Sequence, residues 1–120
     1  MHHPPFATGI DLMDNCRLAK PENLENIIKK YDCILRIGCG HLHRPIQQLW
    51  AGTLVYTVPS PVHQVSLDLV SDTQSGTFVM EPPAYQLHLW NETGGLISHM
   101  QYINQYDGPY PFSTSSESAS

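Results

Sequence analysis

Ten prolines divide this 120-residue chain, and where they fall limits what it can fold into. Pro45, Pro59, Pro61, Pro82 and Pro83 stand between short apolar runs. Each removes an amide donor and clashes with the preceding helical turn, so the second half cannot become a set of long helices. The runs that remain read as strands. Residues 45–50 and 53–58 flank Ala51-Gly52 and predict a hairpin. Residues 62–69 alternate well enough for another strand, and 77–80, 85–90 and 96–103 predict three more. One helix is expected, opening at Lys20-Pro21-Glu22-Asn23. Pro21 suits the first helical position, and Glu22 and Glu25 favour the positive end of the dipole. Leu24, Ile27, Ile28 and Tyr31 line one stripe, which predicts that this helix covers a sheet face. Residues 12–19 allow one further turn, with Met13 and Leu18 inward. The expected class is α+β.

The chemistry gathers in two histidine-bearing segments. A short apolar run at 33–37 predicts a buried strand, and Gly38-Cys39-Gly40-His41-Leu42-His43-Arg44 follows it. On extended backbone His41 and His43 would leave the same face and enter one cavity. Neutral imidazole is a common ligand for first-row divalent metals. The second segment, His2-His3-Pro4-Pro5, lies upstream of the helix. That spacing brings both loops to one end of a sheet, where α/β proteins tend to place their sites. His63 follows a proline-rich turn from which it could reach back towards the loop. His88 and His99 alternate with apolar neighbours and are expected at the surface. Asp11 and Asp14 are expected in a solvated loop. Cys16, Cys33 and Cys39 form no CxxC pair, which predicts reduced thiols and a cytoplasmic setting, with Cys39 as a small packing residue.

The formal charge is −5 and the six Lys/Arg are scattered, so a nucleic-acid surface is not expected. No apolar run approaches the ~20 residues of a membrane span. Residues 1–112 are expected to form one domain part, and the serine-rich 113–120 a disordered tail.

The chain resembles the calcineurin-like metallophosphoesterases. The likeness rests on His2-His3-Pro4-Pro5, on Gly40-His41-Leu42-His43-Arg44-Pro45 and on Pro59-Ser60-Pro61-Val62-His63-Gln64-Val65. Phe78-Val79-Met80-Glu81-Pro82-Pro83, Tyr85 to Trp90 and Gly108-Pro109-Tyr110-Pro111-Phe112 extend it. The bacterial class III branch, the cyclic-nucleotide (cAMP) phosphodiesterases, is the most similar. The resemblance implies the C-terminal half of a four-layer α/β/β/α sandwich with mixed sheets. It implies two divalent ions (Fe, Mn or Zn) in the complete enzyme, with partial binding or none in this chain. His2 and His41 would hold one ion and His43 the other, with His3 as a neighbour. Arg44 and His63 would lie near the substrate. The implied reaction is hydrolysis of a 3',5'-cyclic nucleotide. Glycerophosphodiester or broad-specificity hydrolysis, or a non-catalytic metal-binding or oligomerisation remnant, are the alternatives. The family's Asp-x-His, Gly-Asp and Gly-Asn-His-Asp/Glu motifs are missing from this sequence, as is its bridging aspartate. The chain alone is therefore expected to hold metal weakly, to contain no catalytic residue of its own and to turn over little. A half-sandwich would also leave an apolar face open, which predicts a homo-oligomer.

Overall fold

Among the described residues, proline, glycine and short strands give three small sheets and two short helices. The structure is a computed structural model and describes residues 1–70 and 76–112. The elements run α1 (Asp11–Asp14), α2 (Pro21–Ile28), β1 (Arg36–Cys39), β2 (Ile46–Trp50), β3 (Thr53–Thr57), β4 (Gln64–Val65), β5 (Phe78–Val79), β6 (Ala84–Asn91) and β7 (Gly95–Tyr102). Sheets of mixed direction with few helices agree with the α+β expectation. The expected turn at 71–76 falls largely, and the serine-rich tail wholly, outside the described residues.

The centre is a three-stranded sheet in the order β1-β3-β2. β2 and β3 are antiparallel, and β1 runs parallel to β3 from Arg36 opposite Leu54 to Cys39 opposite Thr57. Their connection is the expected hairpin. Ala51 (φ 52°) and Gly52 (φ 81°) both lie in the left-handed region, as a type I′ turn requires. Alanine is strained there, and asparagine is the favoured occupant of such a position. Ala51→Asn is therefore expected to stabilise the protein by roughly 0.5–1 kcal/mol, read as a higher denaturant midpoint at unchanged slope. A lowered midpoint would mean that the hairpin turns differently.

The core lies on one side of this sheet. Phe6, Cys39 and Val55 are buried together, with Ile37, Ile46 and Trp50 packed around them. Cys39 is thus the packing residue expected from sequence, and burial pushes its thiol pKa up, which disfavours the thiolate. Pro4 and Pro5 are buried as well, and Pro4 accepts the Leu18 amide at 3.0 Å. The N-terminal segment is thereby held against the fold just ahead of Phe6.

Several elements differ from the sequence expectations. The strand expected at 33–37 begins instead at Arg36, where pairing with β3 begins, and takes in Gly38 and Cys39. Upstream, the buried Thr53 hydroxyl donates to the Ile34 carbonyl at 3.0 Å. The strand expected at 62–69 shrinks to Gln64–Val65. Beyond it Asp68 turns the backbone, its amide donating to Ser66 O at 2.9 Å and its carboxylate accepting the Val70 amide at 3.0 Å. The helix α2 buries no residue, and Ile27 and Tyr31 stay exposed. The expectation that it covers a sheet face is not met. A cavity of about 330 Å³, lined by Ile28, Tyr31 and Ile34 among others, lies between its end and the β2–β3 turn. Asp11 and Asp14, expected in a solvated loop, instead bound the helix α1, and Asp14 accepts from Thr8 N, Thr8 Oγ1 and Gly9 N at 2.7–2.9 Å. It fastens the loop before α1.

The radius of gyration is 19.0 Å, against about 13–14 Å for a compact domain of this length. The excess goes with an elongated shape, 68 × 38 × 20 Å along the principal axes, and the β6–β7 hairpin has an open face. Tyr85, Leu87, Leu89 and Ile97 share one of its faces and are 41–50% exposed. No helix among the described residues is long and apolar enough to cross a membrane.

Candidate metal centre

Because β1 and β3 are parallel, the segments that follow them open at the same edge of the sheet. The histidine loop follows β1, and residues 58–63 follow β3. The loop is closed from three directions. Gly40 N donates to His2 O at 2.9 Å, and Leu42 N donates to Gly40 O at 2.9 Å. With φ 74° at His41, that last bond is the signature of a γ-turn with positive φ, a strained conformation. At the other end Thr57 Oγ1 donates to Arg44 O and accepts the Ile46 amide at 3.2 Å. Leu42, between the two histidines, is completely buried.

The loop is therefore not extended, which corrects the expectation that His41 and His43 enter one cavity. Positive φ at both residues (74° and 52°) sends their rings to different neighbours. His41 meets the N-terminal histidines: ring centroids lie 5.2 Å from His2 and 4.6 Å from His3, and His2 and His3 are 4.7 Å apart. His43 meets His63, at 5.0 Å between centroids, and His43 Nδ1 is bonded to the His63 carbonyl at 3.1 Å. Phe78 closes the far side of His63 at 5.1 Å. His3 thus stands as close to His41 as His2 does. Gly40 makes the approach possible, since a Cβ there would sit 3.2 Å from His2 Nδ1.

Ring nitrogens of His2, His3 and His41 lie within 4.8 Å of one another. Nitrogens sharing one zinc at about 2.0–2.1 Å can be at most about 4.2 Å apart, so the rings need only a small inward turn to share an ion. His41 Nε2 is buried and has no hydrogen-bond partner among the described residues. An unpaired buried acceptor or donor costs about 1–3 kcal/mol, and a divalent ion is a partner that would relieve it. The donor set fits a metal of the imidazole-binding kind. Burial, then the neighbouring His3, His2 and His43, hold the His41 pKa below the ordinary imidazole value. His41 therefore keeps its lone pair free to lower pH than an unperturbed histidine.

Arg44 is bonded outside this cluster. Its Nη1 donates to Val65 O at 2.8 Å and to Glu81 Oε2 at 2.8 Å, and its side chain is only 12% exposed. It ties the histidine loop to β4 and to the segment before β6. Gln64, also buried, braces the His63 loop: its Oε1 accepts Ser60 N at 2.8 Å and its Nε2 donates to Ser60 O at 2.9 Å. Glu81 and Phe78 fall in a segment that carries the resemblance, but no local pattern gives them these contacts, because their partners lie far away in the chain. His88 is exposed, as expected, yet is bonded to both Tyr56 and Ser98. His99 is exposed on the opposite face of the hairpin.

No protein-family model matches the chain. Among curated proteins it is 46% identical over 114 residues to the probable glycerophosphodiester phosphodiesterase GpdQ of Arcobacter nitrofigilis, covering 93% of this chain and 41% of that protein. It is 38% identical to a probable cyclic nucleotide phosphodiesterase of Rhodopseudomonas palustris, covering 90% of this chain and 38% of the relative. The 3',5'-cyclic adenosine monophosphate phosphodiesterase CpdA of Escherichia coli is 27% identical over 60 residues, half of this chain and 22% of that protein. The similarity thus favours the glycerophosphodiester alternative over the cAMP branch. The chain spans about two fifths of the length of the first two relatives. Over most of its own length, it is homologous to part of the glycerophosphodiester and cyclic nucleotide phosphodiesterases.

Proposed function

We propose that this chain provides the histidine-rich part of a metal-dependent phosphodiesterase acting on glycerophosphodiesters. The observation that carries the reading is the convergence of His2, His3 and His41 around the unpartnered His41 Nε2, in a chain 46% identical to a glycerophosphodiester phosphodiesterase over nearly its whole length. In this proposal His2, His3 and His41 hold one divalent ion, Fe, Mn or Zn, and His43 beside His63 contributes to a second. Such ions act as Lewis acids, which stabilise charge on phosphate oxygens and make water a better nucleophile. The chain's own residues position rather than react. Leu42 and Thr57 fix the loop, Gln64 fixes the His63 loop, and Arg44 with Glu81 locks the two together. In the folded arrangement of the whole enzyme this chain would form half of the four-layer sandwich. The free thiols Cys16, Cys33 and Cys39 suit a reducing cytoplasm.

Three imidazoles carry no negative charge and offer no bridging carboxylate. The remaining ligands are therefore proposed to come from outside this sequence. With Mn or Zn supplied, this chain alone is expected to hydrolyse a chromogenic phosphodiester no faster than the metal by itself. A protein that also carries the Asp-x-His and Gly-Asp motifs is expected to prefer glycerophosphodiesters over 3',5'-cAMP by about tenfold, a difference of about 1.4 kcal/mol in transition-state binding. Robust turnover by the chain alone, or a preference for cAMP, would contradict this. The second outcome would favour the cyclic-nucleotide reading, which the 38% identity to the Rhodopseudomonas protein supports.

The open face formed by Tyr85, Leu87, Leu89 and Ile97 supports association through the hairpin. A homo-oligomer is proposed, and sedimentation at micromolar concentration should give a mass above the 13.5 kDa of one chain. A monomer mass would refute it.

A further inference from the structure

A second cavity, of about 450 Å³, is lined by sequence neighbours of His43 and His63 but by no histidine. Small-molecule sites run from about 300 to about 1,000 Å³. Three sheets bring its wall together. β2 and β3 pair Ile46 with Thr57, so Pro45 and Pro59, just beyond those ends, meet at the cavity. Ile103 N donates to Pro83 O at 3.0 Å and Ala84 pairs with Tyr102, which brings Tyr102 to Pro82. The rings of Tyr102 and Tyr106 stand 6.1 Å apart with 73° between their planes, and both line the cavity. Two polar side chains complete it. Gln64 is buried and engages both ends of its amide with Ser60. Glu81 is held by Arg44 through Oε2, and its Oε1 has no bond among the described residues.

We propose that this cavity binds an organic ammonium group, a cation clothed in carbon such as the trimethylammonium of choline. The argument is one of charge and surface. The face of an aromatic ring is negative and attracts a cation. Two tyrosine planes at 73° form a corner in which one cation can meet both faces. The prolines offer apolar surface to its methyl groups. Glu81 is the one charged side chain in the wall. Arg44 offsets part of that charge, which leaves Oε1 and the two rings as the attraction for a cation. No lysine, arginine or histidine lines the cavity, so an anion has nothing to pair with there. A hydrated metal ion would gain nothing from the apolar wall. Pro45 follows Arg44 and Gln64 follows His63, so where the phosphodiesterase reading above holds, the ammonium belongs to the alcohol of a phosphodiester. The binding itself does not depend on that reading.

The test is titration of the isotopically labelled, metal-free protein with choline, followed by nuclear magnetic resonance. A parallel titration uses the neutral isostere in which a tert-butyl group replaces trimethylammonium. Choline should shift the ring signals of Tyr102 and Tyr106, leave those of Tyr56 in place, and bind about tenfold more tightly than the isostere. Tyr106→Phe keeps a ring face and should bind choline about as well as the unmodified protein. Tyr106→Leu keeps only an apolar wall and should bind about fivefold more weakly. Equal affinity for choline and the isostere, no shift of the two rings, or equal binding by the two variants would overturn the proposal. The first two comparisons need no variant to fold. Glycerophosphocholine separates the sources of the ammonium. Tighter binding than choline assigns it to the substrate, and equal or weaker binding assigns it to a free effector, with the site standing in both cases. Choline binding in a protein whose completed form hydrolyses no phosphodiester would remove the phosphodiesterase reading alone; hydrolysis without choline binding would remove this one alone.

Discussion

Replacing His41 by alanine is expected to lower the protein's affinity for zinc or manganese by about 100-fold or more. Loss of partners one step outside a metal's ligands already costs about 10–100-fold, and His41 is proposed as a ligand itself. It is also the one member of the cluster whose position the loop geometry dictates. His2 and His3 are exposed, whereas His41 sits on a γ-turn with a buried, unpartnered Nε2. Removing its ring leaves two exposed imidazoles that the solvent can rotate away. The pH dependence has a definite sign. Burial and the three neighbouring imidazoles lower the His41 pKa, so the folded state takes up this proton less readily than the unfolded chain. His41 thus contributes a stability that is lost as pH falls below the unfolded imidazole value of about 6.5. In His41→Ala that part of the acid sensitivity should disappear. Calorimetric titration of metal into both proteins checks the first point, and denaturant midpoints across pH check the second.

Leu42→Ala is expected to be the most damaging single truncation, costing about 2–5 kcal/mol. Leu42 is among the few fully buried side chains in an open molecule, and it lies between two histidines whose backbones are both in the left-handed region. Strain of that sort persists only where surrounding contacts over-determine it. Removing the leucine side chain takes away the contact that holds the loop down, so metal affinity should fall together with stability. Leu42→Met, which roughly conserves volume, should cost less than about 1.5 kcal/mol and keep most of the affinity. Denaturant unfolding paired with metal titration separates the cases: equal stability losses in the two variants would show that Leu42 is not a packing residue.

What could be read from the sequence was mostly local. The Ala51-Gly52 hairpin and the Pro21 helix start follow from residues adjacent to one another. So does the strand character of 85–90 and 96–103, which the structure extends to Ala84–Asn91 and Gly95–Tyr102. What could not be read depends on distant partners. The γ-turn at His41 comes with the bond from Gly40 N to His2 O, nearly forty residues away. Nothing near His41 announces that its ring will part from that of His43. The equal standing of His3, the Arg44–Glu81 pair and the His88–Tyr56 contact are long-range in the same sense. The exposed stripe of α2 shows the limit of periodicity. The pattern marks a face that could be buried, and the structure leaves Ile27 and Tyr31 of it exposed and Leu24 and Ile28 only half-buried.

His2, His3 and His41 are proposed to form one binding set for a divalent ion. X-ray absorption spectroscopy of the zinc-loaded protein, with the triple variant His2→Ala/His3→Ala/His41→Ala as reference, tests it most directly. Imidazole scattering from up to three nitrogens at about 2.0–2.1 Å is expected in the unmodified protein, and its disappearance in the variant. Zinc bound with the same ligand signature in both proteins, or not bound by either, would contradict it.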